Sequence, residues 1–247
     1  MIAYINVGYF FMPEAKKYSI IVAGGRGNRM KTVIAKQFIP LAGKPILAHT
    51  VEKFLQVEGN TVICVVPAKD MSFWAEILES NDVLKMAAEN RNLITVEGGE
   101  TRYQSVSNGL SAIASPEGLV AIHDGVRPLI SIDLIEKSFE EAQKHGSAVL
   151  SIPLKDSARL IEDDKNTFID RTKVRLIQTP QTFNLKQILD AFALGEQAHF
   201  TDDASVYEFA GHRVNLIDGD LKNIKITTPE DMHVAEIFYD DENNRSF

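Results

Sequence analysis

Three glycines fall within four positions, Gly24, Gly25 and Gly27, directly after an apolar run that ends at Ala23. Four cations, Arg26, Arg29, Lys31 and Lys36, then fall before Phe38 with no acid among them. Glycine has no Cβ, so its N–H groups can approach an anion closely and its backbone can take a positive φ in a tight turn. Arginine grips phosphate oxygens with a planar fork, and lysine sets a compact charge on a single group. The chemistry these residues suggest is the binding of a polyphosphate and the stabilisation of charge as it is split. Taken alone, the glycines fit a plain strand-to-helix turn equally well, and exposed basic residues are ordinarily just solvated.

Two familiar phosphate motifs do not fit. The dinucleotide fingerprint G-x-G-x-x-G would place its third glycine at Met30, and the second strand, "VICVVP", ends in proline rather than near a ribose-binding acid. A Walker loop needs Gly-Lys-Ser/Thr, whereas residues 43–45 read Gly-Lys-Pro.

The elements that must hold this loop are legible from pattern. Short β-branched runs at 18–23, 61–67, 92–97, 119–123, 148–152 and 175–178 predict buried strands. Amphipathic stretches at 46–55, 71–78, 102–113, 132–144, 185–194, 204–209 and 229–237 predict helices between and after them. Such alternation predicts a mostly parallel sheet covered by helices. Residues 156–171, "DSARLIEDDKNTFIDR", break the rhythm and read as two short strands around a polar turn. A hairpin of this kind would project from the sheet, and its apolar side needs cover, which suggests a partner subunit.

At 247 residues and a formal net charge of -8, the chain suits one large α/β domain and offers no general surface for nucleic acid or anionic membrane, so any anion site must be local. No apolar run approaches the ~20 residues of a membrane span, and the apolar N-terminus lacks the charge and cleavage site of a signal peptide. The expectation is a cytoplasmic protein. Residues 1–17 read as an N-terminal extension, of which 1–11 precede Met12 and suggest an upstream start, and residues 18–240 as a single domain. The lone Cys64 lies in the apolar run "TVICVV" and is expected to be a buried small hydrophobe. Metal-ligand spacing is absent throughout.

The run "AGGRGNRM…AKQF…LAGKPILAHT" resembles the start of the cytidylyltransferases that act on 2-C-methyl-D-erythritol 4-phosphate. Later blocks agree in family order: "GGETRYQSVSNGL", "HDGVRP", "TPQTF", "TDDASVYE" and "NIKITTPEDM". The resemblance implies a Rossmann-like α/β nucleotidyltransferase domain with a mostly parallel sheet, whose projecting β-arm joins two subunits into a homodimer. It also implies transfer of CMP from CTP to the sugar phosphate, with release of pyrophosphate. Arg29, Lys36 and Lys225 would then stabilise the transition state. Ala23, Gly24, Gly25, Gly99, Glu100, Ser105 and Asp124 would line the nucleotide, and Arg127, Arg171, Thr201 and Lys225 the sugar phosphate, with Arg171 supplied by the neighbouring arm. Magnesium would arrive with CTP, and Asp124 is the one candidate protein ligand.

The bland alternatives are a turn at Gly98 and Gly99, a helix-surface hydroxyl at Ser105, a cap at Asp124, a partner of Asp124 at Arg127 and a solvated strand lysine at Lys225. His123, with no Cys or His partner nearby, reads as a hydrogen-bonded structural residue. Three residues depart from the family pattern: Gly24 and Val126 where alanine is frequent, and Ala35 where proline commonly precedes Lys36 and would pre-set the loop. Val126 resembles the ribitol-5-phosphate cytidylyltransferases, which form the second reading. A nucleotide-binding protein without turnover and a dinucleotide-dependent oxidoreductase are the readings from other classes.

Overall fold

The computed structural model describes residues 15–24 and 35–244. The N-terminal residues 1–14 and the glycine-loop residues Gly25 to Ile34, Arg29 among them, lie outside that set. In chain order the elements are β1 (Lys17–Val22), β2 (Pro40–Leu41), β3 (Lys44–Pro45), α1 (Ile46–Leu55), β4 (Asn60–Val66), α2 (Met71–Ser80), α3 (Asp82–Glu89), β5 (Leu93–Glu97) and α4 (Arg102–Ser111). There follow β6 (Leu119–Asp124), α5 (Ile132–His145), β7 (Ser147–Pro153), β8 (Ala158–Glu162), β9 (Lys165–Ile169), β10 (Arg175–Asn184), α6 (Leu185–Phe192), α7 (Asp203–Phe209), β11 (Leu216–Asp218) and α8 (Pro229–Asn244).

Seven strands form one sheet in the order β11-β7-β10-β6-β1-β4-β5. All neighbours run parallel except β10, which is antiparallel to both β6 and β7. The connection explains the exception. β7 and β10 are joined through the β8–β9 ribbon, and a hairpin-like return reverses the chain, whereas a parallel return needs a long crossover.

Both faces of the sheet are buried, which is why "IIV" and "VICVV" are continuously apolar rather than alternating. Ile21, Cys64 and Ala121 pack on one side with Phe54 of α1, Trp74 of α2 and Phe139 of α5. Ile20, Ile63 and Ile122 pack on the other with Val106 of α4, Ile188 of α6 and Tyr207 of α7. Burial pushes the Cys64 thiol far up from its ordinary value, which keeps it protonated and inert.

Three differences from the pattern-based expectation have physical causes. The strand expected over 175–178 continues to Asn184, and its register shifts between Ile177 and Gln181, around Pro180, which has no N–H to give a ladder. Helix α3 follows the first helix of that region after a break at Asn81, whose side chain caps it by accepting from the Leu84 N–H at 3.1 Å. The three-residue β11 exists only as an edge partner of β7.

Candidate active site

β1 lies between β4 and β6: the chain leaves β1 for β4 and β5 on one side, then returns to β6 on the other. A crevice opens at the carboxyl ends of strands wherever the order reverses in this way. Here it is a cleft of about 430 Å³, floored by Val22 and Val65 and walled by the segments that follow β1, β4, β5 and β6.

Part of the cleft lining is built for close approach. Gly24, Gly98, Gly99, Glu100 and Ser105 all line it. Ser105 is buried in the first turns of α4, where its Oγ donates to the Thr101 carbonyl at 2.9 Å and accepts the Gly99 N–H at 3.1 Å. Any side chain at Gly99 would strike α4, since a Cβ there would stand 2.3 Å from Cβ of Gln104. Gly99 is therefore glycine because the loop presses on the helix, and the same loop brings its backbone to the cleft wall. Ala23 is buried and is not among the lining residues, and its N–H donates to the Val65 carbonyl at 2.9 Å, so that donor is spent within the sheet.

The lining is also ionic. Among the described residues, Lys36, Lys69, Arg102 and Lys225 line the cleft against the acids Asp124 and Glu100, a local cationic excess in an acidic chain. Lys225 Nζ lies 3.0 Å from Asp124 Oδ2, which Arg127 Nε also reaches at 3.1 Å. Arg102 Nε stands 4.0 Å from Asp124 Oδ1. Burial alone would raise the Asp124 carboxyl, but Lys225, Arg102 and Arg127 outweigh it and hold the group well below the usual carboxylate range. Arg127 takes the structural role of its two readings: it is buried, and its Nη1 donates to the Asn223 carbonyl at 2.8 Å.

Lys36 is aimed from a single 3₁₀ turn whose next two residues are buried. Phe38 meets Phe73 edge-on at 5.0 Å, and Gln37 donates to Asp70 at 3.3 Å. Ala35 has φ -59° and ψ 136°, the backbone that proline would impose, so its substitution leaves the native geometry unchanged and affects only the freedom of the unfolded chain.

His123 is structural as expected. Burial pushes its imidazole down to about 3, so it is neutral. Its Nε2 donates to the Arg127 carbonyl at 3.2 Å, which leaves Nδ1 to accept from the Thr179 hydroxyl at 3.1 Å. That hydroxyl oxygen in turn accepts the Asp124 N–H at 3.0 Å, so the chain of bonds fixes the start of the Asp124 turn.

Two expected residues stand apart from the main cleft. Thr201 borders a small adjoining pocket that shares Arg102 with it. Arg171 is exposed at the end of the β8–β9 ribbon, donates to the Lys155 carbonyl, and does not line the cleft. Gly25 and Arg29 lie outside the described residues.

Arg102 and Lys69 join the site without having been expected from the sequence. Arg102 directly follows the α4 cap Thr101 and grips Asp203 with two bonds of 2.8 and 2.6 Å. Its place within "GGETRYQ" is the available signal, but no spacing rule announces a partner so distant in the chain. Lys69 follows β4 on an exposed turn and carries no sequence signal.

Comparison with known proteins agrees with this arrangement. The sequence profile of the family described as IspD, 2-C-methyl-D-erythritol 4-phosphate cytidylyltransferase, matches residues 18–241. The enzyme of that name from Bacteroides thetaiotaomicron is 38% identical over 221 residues, covering 89% of this chain and 98% of the relative. That from Porphyromonas gingivalis W83 is 40% identical over 226 residues, covering 91% and 98%. The crystal structure of 4-diphosphocytidyl-2C-methyl-D-erythritol synthase from Anaerococcus prevotii superposes with a TM-score of 0.77 at 32% identity, covering 92% of this chain and 96% of that one. With the family profile matching residues 18–241 and relatives about 40% identical over some nine-tenths of it, the chain belongs to the 2-C-methyl-D-erythritol 4-phosphate cytidylyltransferase family.

Proposed function

We propose that this chain transfers CMP from CTP to 2-C-methyl-D-erythritol 4-phosphate, giving 4-diphosphocytidyl-2C-methyl-D-erythritol and pyrophosphate. The observation that carries the reading is the convergence of Lys36 and Lys225 on one cleft, opposite backbone that can meet a nucleotide closely. A phosphate monoester oxygen attacks the α-phosphorus of CTP. A new P–O bond forms, the bond to the β-phosphate oxygen breaks, and pyrophosphate leaves with the electron pair. The nucleophile is already an anion, so no general base is required. The need is for fixed positive charge on the five-coordinate phosphorus and the leaving group.

Lys36 and Lys225 supply that charge in this reading, with Arg29 from the glycine loop. Asp124 holds Lys225 in place by direct contact. Gly24, Gly99, Glu100 and Ser105 enclose the nucleoside end. Magnesium, when bound, neutralises phosphate oxygens and orients them. The residues present fit it: the Asp124 carboxylate lines the cleft and would hold the ion, since a single carboxylate suits an ion held mainly by phosphate and water. No helix among the described residues is long and apolar enough to cross a membrane. Both substrates are phosphorylated and do not cross membranes unaided, which supports a cytoplasmic site of action.

The direct test is pyrophosphate release with CTP. Turnover is expected with 2-C-methyl-D-erythritol 4-phosphate and none above background with ribitol 5-phosphate. Turnover with neither would leave a nucleotide binder, and turnover with ribitol phosphate alone would reassign the substrate.

The same reading includes a homodimer. On the β8–β9 ribbon, Ile161 (67% exposed) and Phe168 (76% exposed) lie on one face, Phe168 opposite Arg159 and Ile161 two residues further along. An isolated two-stranded ribbon is marginal in water, so these side chains call for cover. A second copy provides it and brings Arg171 to a sugar phosphate in the partner's cleft. The double variant Ile161→Asp/Phe168→Asp is expected to run as a monomer in light scattering and to lose more than about tenfold in activity. A proven monomer with full activity would separate the arm from catalysis.

A further inference from the structure

Lys225 sits in residues 223–227, which have no regular secondary structure, so no ladder of backbone bonds fixes its aim. Something else must hold the segment. Arg127 Nη1 grips the Asn223 carbonyl at 2.8 Å, and further holds come from a buried carboxamide on β10, in the block "QTPQTF", which the catalytic reading leaves without a role. Gln178 Nε2 donates to the Asp220 carbonyl at 2.8 Å and to the Asn223 carbonyl at 3.3 Å, while its Oε1 accepts the Asp220 N–H at 3.3 Å. One side chain thus brackets both ends of the turn that leads into the lysine segment.

Asn223 closes the bracket from the other side. It is fully buried, and its Nδ2 donates to the Thr179 carbonyl at 2.8 Å. Beyond Lys225, the Ile226 N–H donates to the Val126 carbonyl at 2.9 Å, which pins the exit. Neither Gln178 nor Asn223 lines the cleft. Gly219 completes the fit, because a Cβ there would stand 2.4 Å from Gln178 Oε1.

We propose that Gln178, seconded by Asn223, is a positioning residue that aims the Lys225 ammonium into the cleft. This rests on the reading of Lys225 as a transition-state contact. A buried carboxamide suits such a role because it offers donor and acceptor together and stays neutral beside Arg127 and Asp124, where a carboxylate would compete for the same cations.

The test is steady-state pyrophosphate release by the full chain carrying Gln178→Ala or Gly219→Ala, each alone and combined with Lys225→Ala. Each single variant is expected to lose roughly ten- to a hundredfold in kcat, as a misaimed group does, with KM for CTP within about threefold. In the Lys225→Ala background neither should cause further loss, because there is no ammonium left to aim. Equal fold-losses in both backgrounds, or unchanged kcat in the single variants, would overturn the proposal. Should Gln178→Ala fail to fold, Gly219→Ala still decides, since its added methyl displaces only the amide end and meets no other atom closer than 3.4 Å. Normal turnover in Lys225→Ala by itself would remove the catalytic reading, and the bracket's purpose with it.

Discussion

Lys36→Ala and Lys225→Ala are each expected to lower kcat on the order of 10²- to 10³-fold while KM for CTP stays within about threefold. The two ammonium groups reach the cleft from separate segments, Lys36 from the 3₁₀ turn before β2 and Lys225 from the irregular segment before α8. Charge grows on the phosphorus and the leaving oxygen only as the bond breaks, so contacts made there are stronger in the transition state than in the bound substrate. The ground-state nucleotide retains the Gly99 loop and Ser105 in either variant. A loss confined to KM, with kcat intact, would show that the lysines only bind CTP. For Lys225 a second readout follows from its 3.0 Å contact with Asp124: arginine at this position keeps the charge but not the compact ammonium, and is expected to restore little of the lost rate.

Asp124→Ala carries the largest expected effect on stability. The carboxylate is buried and is approached by Arg127, Lys225 and Arg102. Its removal leaves the buried Arg127 guanidinium, among the described residues, with the Asn223 carbonyl but no carboxylate partner. Unpairing a buried charge costs about 3–5 kcal/mol, and because Lys225 is partly exposed and water screens it, the expected loss lies at about 3 kcal/mol. For a chain of this size that is roughly 6–12 °C in Tm, readable by calorimetry. The pH dependence has a definite sign. The folded-state carboxyl is held below its unfolded value, so its contribution is complete above about pH 4 and is lost as the pH falls through the folded-state value. Asp124→Asn, which preserves shape, should therefore show a flatter fall in stability between about pH 4 and 2 than the parent chain. Parallel acid profiles would mean that the carboxylate is not held as the geometry requires.

Much of the architecture can be read from local pattern because most of it is locally caused. Apolar runs such as "TVICVV" become strands covered on both faces, and Ser131, capping α5 through the Leu134 N–H, marks a helix start visible in the chain. What escapes such a reading is caused elsewhere. β10 continues past Gln178 only because β6 and β7 both accept it as an antiparallel neighbour, and β11 is a strand only beside β7. Helix α3 is the local exception: Asn81 is an ordinary cap followed by a helical stretch, but the turn before it is so short that the pattern does not announce a new element.

The candidate site divides in the same way. Gly24, Gly99, Ser105, Asp124, Lys36 and Lys225 are legible as residue types within motifs, and they meet at one cleft. Family likeness, not spacing, singles them out. That Ala23 gives its N–H to β4, that Arg127 is absorbed by Asp124 and Asn223, and that Arg102 is locked to Asp203 are facts of folding.

By itself, then, the amino-acid order determined most of the elements, the glycine-rich segment after β1 and the supply of cations, because hydrophobic period and backbone freedom act over a few residues at a time. Only the tertiary structure decided which cations face the cleft and which are neutralised beneath it. The reason is physical: a charge acts through its distances to other charges and its exposure to water, and both are set by strands and loops far apart in the chain.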